Sequence, residues 1–136
     1  MSNRNLRIVI VDDDLTILPL YEAIGDIENT TVIVRQSGVG ALSFLHDVNY
    51  EVDAIVTDLS MPDMSGISLT KQIRENEELR FKEIPIKIFW LTGWGYDEKD
   101  GNNPITIAAK DCGVEKVYIK PHNPTAIVNE IKGLFK

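Results

Sequence analysis

Cysteine is almost absent from this chain, with Cys112 alone among 136 residues. A lone thiol excludes an internal disulfide and fits a reducing compartment. Basic residues are outnumbered, 14 Lys and Arg against 21 Asp and Glu, for a net charge of −7. An acidic surface is repelled by phosphate backbones and anionic lipid, which argues against nucleic acid or a membrane as a direct partner. Long apolar runs are missing too: the opening MSNRNLRIVIV is too short for a secretory core or a membrane span. A cytoplasmic protein is expected. No internal repeat or low-complexity tract interrupts the chain. What remains is ordinary globular material, 43% apolar and 26% charged, long enough to bury a core as one domain over residues 1 to 136.

The pattern alternates between strand and helix. LRIVIV (6–11) is β-branched and apolar without alternation, as for a strand covered on both faces, and Asp12, Asp13 and Asp14 end it. Ile17, Leu20, Tyr21 and Ile24 then recur at helical spacing, predicting a helix over about 15–27, with Pro19 requiring either Thr16 as N-cap or a kink. TVIVR (31–35) is a second strand, and Ser37 opens a helix facing inward through Ala41, Leu42, Leu45 and Val48. A third strand (52–57) runs into Asp58, and a helix from Ser65 to about Asn76 turns Leu69 and Ile73 inward. IKIFWL (86–91) stops at Thr92, and a polar, glycine-rich loop (93–103) leads to a short helix begun by Asn103 and Pro104. Its inner face is Ile105, Ala108, Ala109 and Cys112, with Gly113 as a stop. KVYIK (116–120) is the fifth strand, and Asn123 with Pro124 opens a last helix using Ile127, Ile131 and Phe135.

Five strands each followed by a helix give an α/β fold, a parallel sheet with helices on both faces. Ligands of such sheets bind beyond the carboxyl ends of the strands. That edge carries Asp12 and Asp13, Asp58, Thr92 and Lys120. Like charges about 4 Å apart repel by on the order of 4 kcal/mol at an effective dielectric near 20, so clustered carboxylates imply a cation. Oxygen ligands, with no histidine or cysteine among these residues, suit Mg²⁺ or Mn²⁺ rather than zinc. Lys120 supplies a point charge for a phosphoryl oxygen, and Thr92 a hydroxyl donor. With Asp58 as nucleophile, the set can accept a phosphoryl group as an acyl phosphate.

These residues resemble a response-regulator receiver domain of two-component signalling, over essentially the whole chain. The acidic pair matches Asp12 and Asp13 in IVIVDDD, and the phosphoacceptor matches Asp58 in DLSMPDMSG. The switch hydroxyl matches Thr92 in FWLTG, and the lysine matches Lys120 in IKP. The resemblance, rather than the residues themselves, implies the flavodoxin-like strand order 2-1-3-4-5 and a cis bond before Pro121. It also implies Mg²⁺ held by Asp13, Asp58 and the Ser60 carbonyl, with Asp12 acting largely through water. A sensor histidine kinase or a histidine phosphotransfer protein is then the phosphodonor. Output passes to a downstream effector protein, from a monomer or weak dimer that carries no effector domain and catalyses only its own phosphorylation and dephosphorylation.

Two departures stand out. Members of the family often place an aromatic residue three before the lysine, where this chain has Val117; Tyr118, one later, points to the same side as Lys120. The 93–103 loop is longer than in compact members, and Trp94 and His122 are unusual near such a site. A second reading is therefore a phosphorylatable scaffold or phosphate sink with altered switching. A phosphatase with an aspartyl nucleophile would need an acid two residues after it, where Ser60 stands. An FMN-binding protein would need a phosphate cradle where the first loop is rich in aspartate. Elsewhere, Cys112 is expected in the core, His46 on a solvated helix, and Asp97, Glu98 and Asp100 in a solvated loop.

Overall fold

The computed structural model describes residues 5–24 and 29–135. The elements run β1 (Leu6–Val11), α1 (Leu18–Glu22), β2 (Thr30–Arg35), α2 (Gly38–Asp47), β3 (Ala54–Asp58), α3 (Gly66–Leu79), β4 (Lys87–Thr92), α4 (Pro104–Asp111), β5 (Lys116–Ile119) and α5 (Pro124–Gly133). All strand pairs are parallel, and the sheet order is β2-β1-β3-β4-β5. No helix among the described residues is long and apolar enough to cross a membrane.

The unbroken apolar strands follow from having helices on both sides. Successive side chains point to opposite faces, so Val9, Val11, Ile55, Ile88 and Trp90 pack with Ala41, Leu45, Leu69 and Ile73 of α2 and α3. Ile8, Ile10, Val56, Phe89 and Leu91 pack with Tyr21, Ile127, Val128 and Ile131 of α1 and α5. Cys112 lies in the first cluster, as its helical spacing predicted. Ser37, Ser65, Asn103 and Asn123 each cap the helix that follows, their side chains accepting backbone N–H groups of the first turn.

Some expectations need correcting. The first helix does not begin at Thr16 and is not kinked: Ile17 is its N-cap, without a side-chain cap, and Pro19 falls in the first turn, where no helical hydrogen bond is lost. Asp14 instead accepts from the Thr16 N–H and hydroxyl, which closes a turn ahead of the helix. Leu20, assigned to the inner face, points outward at 53% exposure, because Leu18 and Tyr21 take the buried places. The described helix stops at Glu22, and residues 25–27 of the predicted span lie outside the described residues. Strands β3 and β4 each extend one residue further than predicted and so include Asp58 and Thr92. Helix α3 continues beyond Asn76 to Leu79, with Glu77 buried on it. Glu77 is tolerated there because it pairs with Arg74 at 2.8 Å and accepts the Ile86 N–H at 2.6 Å.

Candidate functional site

Strand register assembles the site. Val11 pairs with Thr57, so Asp12, the next residue of the first segment, lies level with Asp58 at the end of β3. Asp58 pairs with Leu91, and Thr92 with Ile119, which brings Thr92 and Lys120 to the same edge. The ladder continues past β5, because the Lys120 N–H donates to the Thr92 carbonyl at 2.8 Å. The Lys120–Pro121 bond is cis.

The carboxylates meet as their spacing suggested. Asp12, Asp13 and Asp58 each offer an oxygen lying within 4.8 Å of the others. Asp12 is fully buried, Asp58 is 5% exposed, and Asp13 is open to solvent. Lys120 Nζ stands 3.1 Å from Asp58 Oδ2 and 3.3 Å from Asp12 Oδ2. Asp12 Oδ1 accepts the Asp14 N–H at 3.0 Å, whereas the buried Oδ2 accepts no aligned hydrogen bond, its contact with Lys120 being Coulombic. Burial pushes the Asp12 carboxyl above the ordinary range, against the opposing pull of the Asp14 N–H and the Lys120 charge. Burial works in the same way against the charged form of Lys120, but its contacts with Asp58 and Asp12 prevail and raise its pKa. One ammonium among three carboxylates leaves the edge short of positive charge. An all-oxygen donor set, in which the buried Asp12 Oδ2 has an ion-pair contact but no aligned hydrogen bond, is the chemistry a hard divalent cation such as Mg²⁺ takes.

The remaining expected residues lie around this cluster. Ser60 is exposed in the loop after β3, and its N–H donates to Asp58 Oδ1 at 3.4 Å. Thr92 is nearly buried and its hydroxyl donates to the Trp94 carbonyl at 2.7 Å, so at present it serves the loop rather than the acceptor. The Trp94 side chain projects into solvent, 85% exposed. On the α1 and α5 side a cleft of about 410 Å³ opens beside the cluster, lined by Asp12, Tyr21, Leu91, Gly93, Lys120 and His122. Burial pushes the Tyr21 hydroxyl there up to about 12, with the Asp12 charge adding to it. A larger groove of about 760 Å³ between α3 and the α4–β5 turn touches none of the five predicted edge residues.

Tyr118 is buried in the α1 and α5 cluster, its ring 4.7 Å from His122 and its hydroxyl donating to Glu130 at 3.1 Å, whereas Val117 faces the α4 side. The side assignments made from strand alternation therefore hold. His46 is exposed and meets the Tyr50 ring edge-on, and Asp97, Glu98 and Asp100 are exposed in their loop.

Two residues support the acceptor loop: Gly66, which the sequence signalled as a site of close approach, and Asp63, which sequence reasoning missed. Gly66 is required because a Cβ there would run into the Asp58 carbonyl oxygen, and its N–H closes the loop onto the Leu59 carbonyl at 2.9 Å. Asp63 reaches across to α2, accepting the Gly38 and Val39 N–H groups at 3.3 and 2.8 Å. Nothing in the order of residues announces that the start of α2 lies against a loop 24 positions later; only the glycine of DMSG was a visible signal.

Comparison with known proteins agrees with this geometry. The family model for the response regulator receiver domain matches residues 8–132. The chain is 30% identical over 135 residues to the chemotaxis protein CheY-3 of Vibrio cholerae, covering 98% of this chain and 95% of that protein. It is 28% identical to the transcriptional regulatory protein AruR of Pseudomonas aeruginosa, covering 96% of this chain but 49% of AruR. Among solved structures, a CheY-like receiver domain protein from Methanospirillum hungatei superposes with a TM-score of 0.72 at 26% identity, over 95% of this chain and 92% of that one. Both the sheet order and the match along the chain lead to one conclusion: the protein belongs to the response-regulator receiver domain family.

Proposed function

We propose that this chain is a single receiver domain over residues 1 to 136 that takes a phosphoryl group onto Asp58 from a phosphohistidine of a sensor kinase or phosphotransfer protein. The observation that carries the reading is the meeting of Asp12, Asp13, Asp58 and Lys120 at one sheet edge, with Lys120 within 3.3 Å of two of the carboxylates. A carboxylate oxygen of Asp58 attacks phosphorus; the new O–P bond forms as the P–N bond to the donor imidazole breaks, and the imidazole leaves with the electron pair and takes up a proton. Lys120, already hydrogen-bonding distance from Asp58, neutralises charge on the transferred group. Thr92 exchanges its bond to Trp94 for one to a phosphoryl oxygen. Asp13, Asp58 and the Ser60 carbonyl would hold Mg²⁺, with Asp12 reaching it through water. Bound there, the ion supplies positive charge to the phosphoryl oxygens.

The chemistry ends on the protein's own side chain, so the function is signalling rather than turnover of a substrate. We infer a cytoplasmic domain that, once phosphorylated, alters its binding to a downstream protein. A second reading, a phosphate sink or scaffold, is favoured by Val117 standing where an aromatic switch would be and by Tyr118 being tied to Glu130 on the opposite face. The test is labelling with a small phosphodonor and Mg²⁺. One phosphoryl group is expected on the wild type and none on Asp58→Asn; equal labelling of the variant would reject Asp58 as acceptor. Structures with and without beryllofluoride separate the two readings, since a sink leaves β4 and β5 unchanged.

A further inference from the structure

The loop from Leu59 to Ser65 carries the Ser60 carbonyl and must hold its place if that atom is to serve as a ligand. Its ends are fixed: the Leu59 N–H donates to the Leu91 carbonyl at 3.0 Å, and the Gly66 N–H returns to the Leu59 carbonyl. Between them only Met61 is buried, at 8% exposure, while Ser60, Pro62 and Asp63 stand in solvent. Besides the apolar packing of Met61 and Met64, this middle stretch is fastened to α2 by the Asp63 carboxylate, whose two oxygens each accept a backbone N–H from the first turn of that helix. Those N–H groups have no partner within the helix, and a negative charge at a helix N-terminus is favourable, so the contact is strong for an exposed carboxylate. Beside it Met64 packs so closely on Gly38 that a Cβ at Gly38 would overlap its side chain. The start of α2 is thus shaped to receive the loop. Ser37 meanwhile caps the same helix through the Gly40 N–H, a bond in which the loop takes no part.

We propose that Asp63 is a positioning residue for the metal side of the site: it fastens the acceptor loop to α2 and so sets where Ser60 can stand, a role that rests on the ligand set given above. Binding and fastening are reciprocal, so a cation that orders the loop also tightens the start of α2. Outer-shell partners of metal ligands are commonly worth about ten- to a hundredfold in affinity; for a loop with fixed ends the lower figure applies.

The experiment is calorimetric titration of the full chain with Mg²⁺ alone, with melting temperatures measured on the same samples. Asp63→Ala is expected to weaken Mg²⁺ about tenfold. Asp63→Asn, which keeps one acceptor oxygen, should fall between it and wild type. Ser37→Ala removes a cap from the same helix, so it should lower the melting temperature and leave Mg²⁺ affinity unchanged. Equal affinity of Asp63→Ala and wild type overturns the proposal, as does an equal loss in Ser37→Ala, which would reduce Asp63 to a helix cap. Should Asp63→Ala fail to fold, amide exchange in the wild type decides: Mg²⁺ is expected to slow exchange at Gly38 and Val39, and no change there overturns the proposal. A wild type that binds no Mg²⁺ defeats the ligand set itself, and this proposal with it.

Discussion

Replacing Lys120 with methionine isolates the electrostatics of the site, because methionine keeps the length of the side chain and removes its charge. Lys120 stands 3.1 Å from Asp58 Oδ2 and 3.3 Å from Asp12 Oδ2, and both carboxylates are almost wholly out of solvent. At an effective dielectric near 20 each attraction is worth about 5 kcal/mol before the cost of desolvation. Stripping one partner from a buried ion pair typically costs about 3–5 kcal/mol. Because the lysine side chain keeps 31% of its exposure, water and proton uptake soften the loss toward the lower figure of about 3 kcal/mol. For a chain of this size that lowers the melting temperature by roughly 10 °C at neutral pH without metal.

Two further readouts sharpen the test. Mg²⁺ should raise the melting temperature of Lys120→Met more than that of wild type, since the ion relieves a larger repulsion. The pH dependence follows from Asp12, whose folded pKa lies above 3.8 because of burial. A carboxyl with a raised folded pKa penalises the native state when ionised; the penalty is complete above the folded pKa and gone below the unfolded one. Acidification toward pH 4 should therefore narrow the gap between Lys120→Met and wild type. Thermal unfolding followed by circular dichroism measures all three effects. A variant melting with wild type at neutral pH, with and without Mg²⁺, would refute the electrostatic account of the edge.

Three other outcomes are expected. Thr70 and Trp90 form a buried pair, the indole N–H donating to the Thr70 hydroxyl at 2.9 Å; Thr70→Val should cost about 2 kcal/mol in denaturant unfolding by orphaning that N–H, with Mg²⁺ affinity little changed. Gly66→Ala forces a methyl against the Asp58 carbonyl oxygen, so it should lose about 1–3 kcal/mol of stability and be labelled poorly by a small phosphodonor; a variant labelled like wild type would contradict the close approach. Thr92→Val removes the donor to the Trp94 carbonyl, and Trp94 emission, which should change in wild type on addition of beryllofluoride and Mg²⁺, should respond weakly in this variant.

Most of the fold was legible because its signals are local. A strand covered on both faces has to be apolar at every position, so LRIVIV and IKIFWL announce themselves. Asn before Pro, or Ser at the right place, marks a helix start, since a cap acts within three residues of itself. The first helix was misread where those signals conflict: Ile17 caps it without a side-chain bond, and Thr16, the better capping residue by type, is occupied by Asp14.

The residues of the edge were legible for a different reason. In a parallel sheet every strand ends on the same side, so the strand-end residues read from the sequence share one edge of the sheet whatever the order of the strands. By itself, then, the sequence determined the alternation of elements, the two-faced core and the identity of the residues at the edge. Only the folded structure decided which residues stand across from one another: Asp12 level with Asp58 through the pairing of β1 and β3, Asp63 against the start of α2, and the Thr92 hydroxyl on the Trp94 carbonyl. Such contacts depend on register and on ångström-scale approach between distant segments, and residue type and spacing along a chain do not encode those.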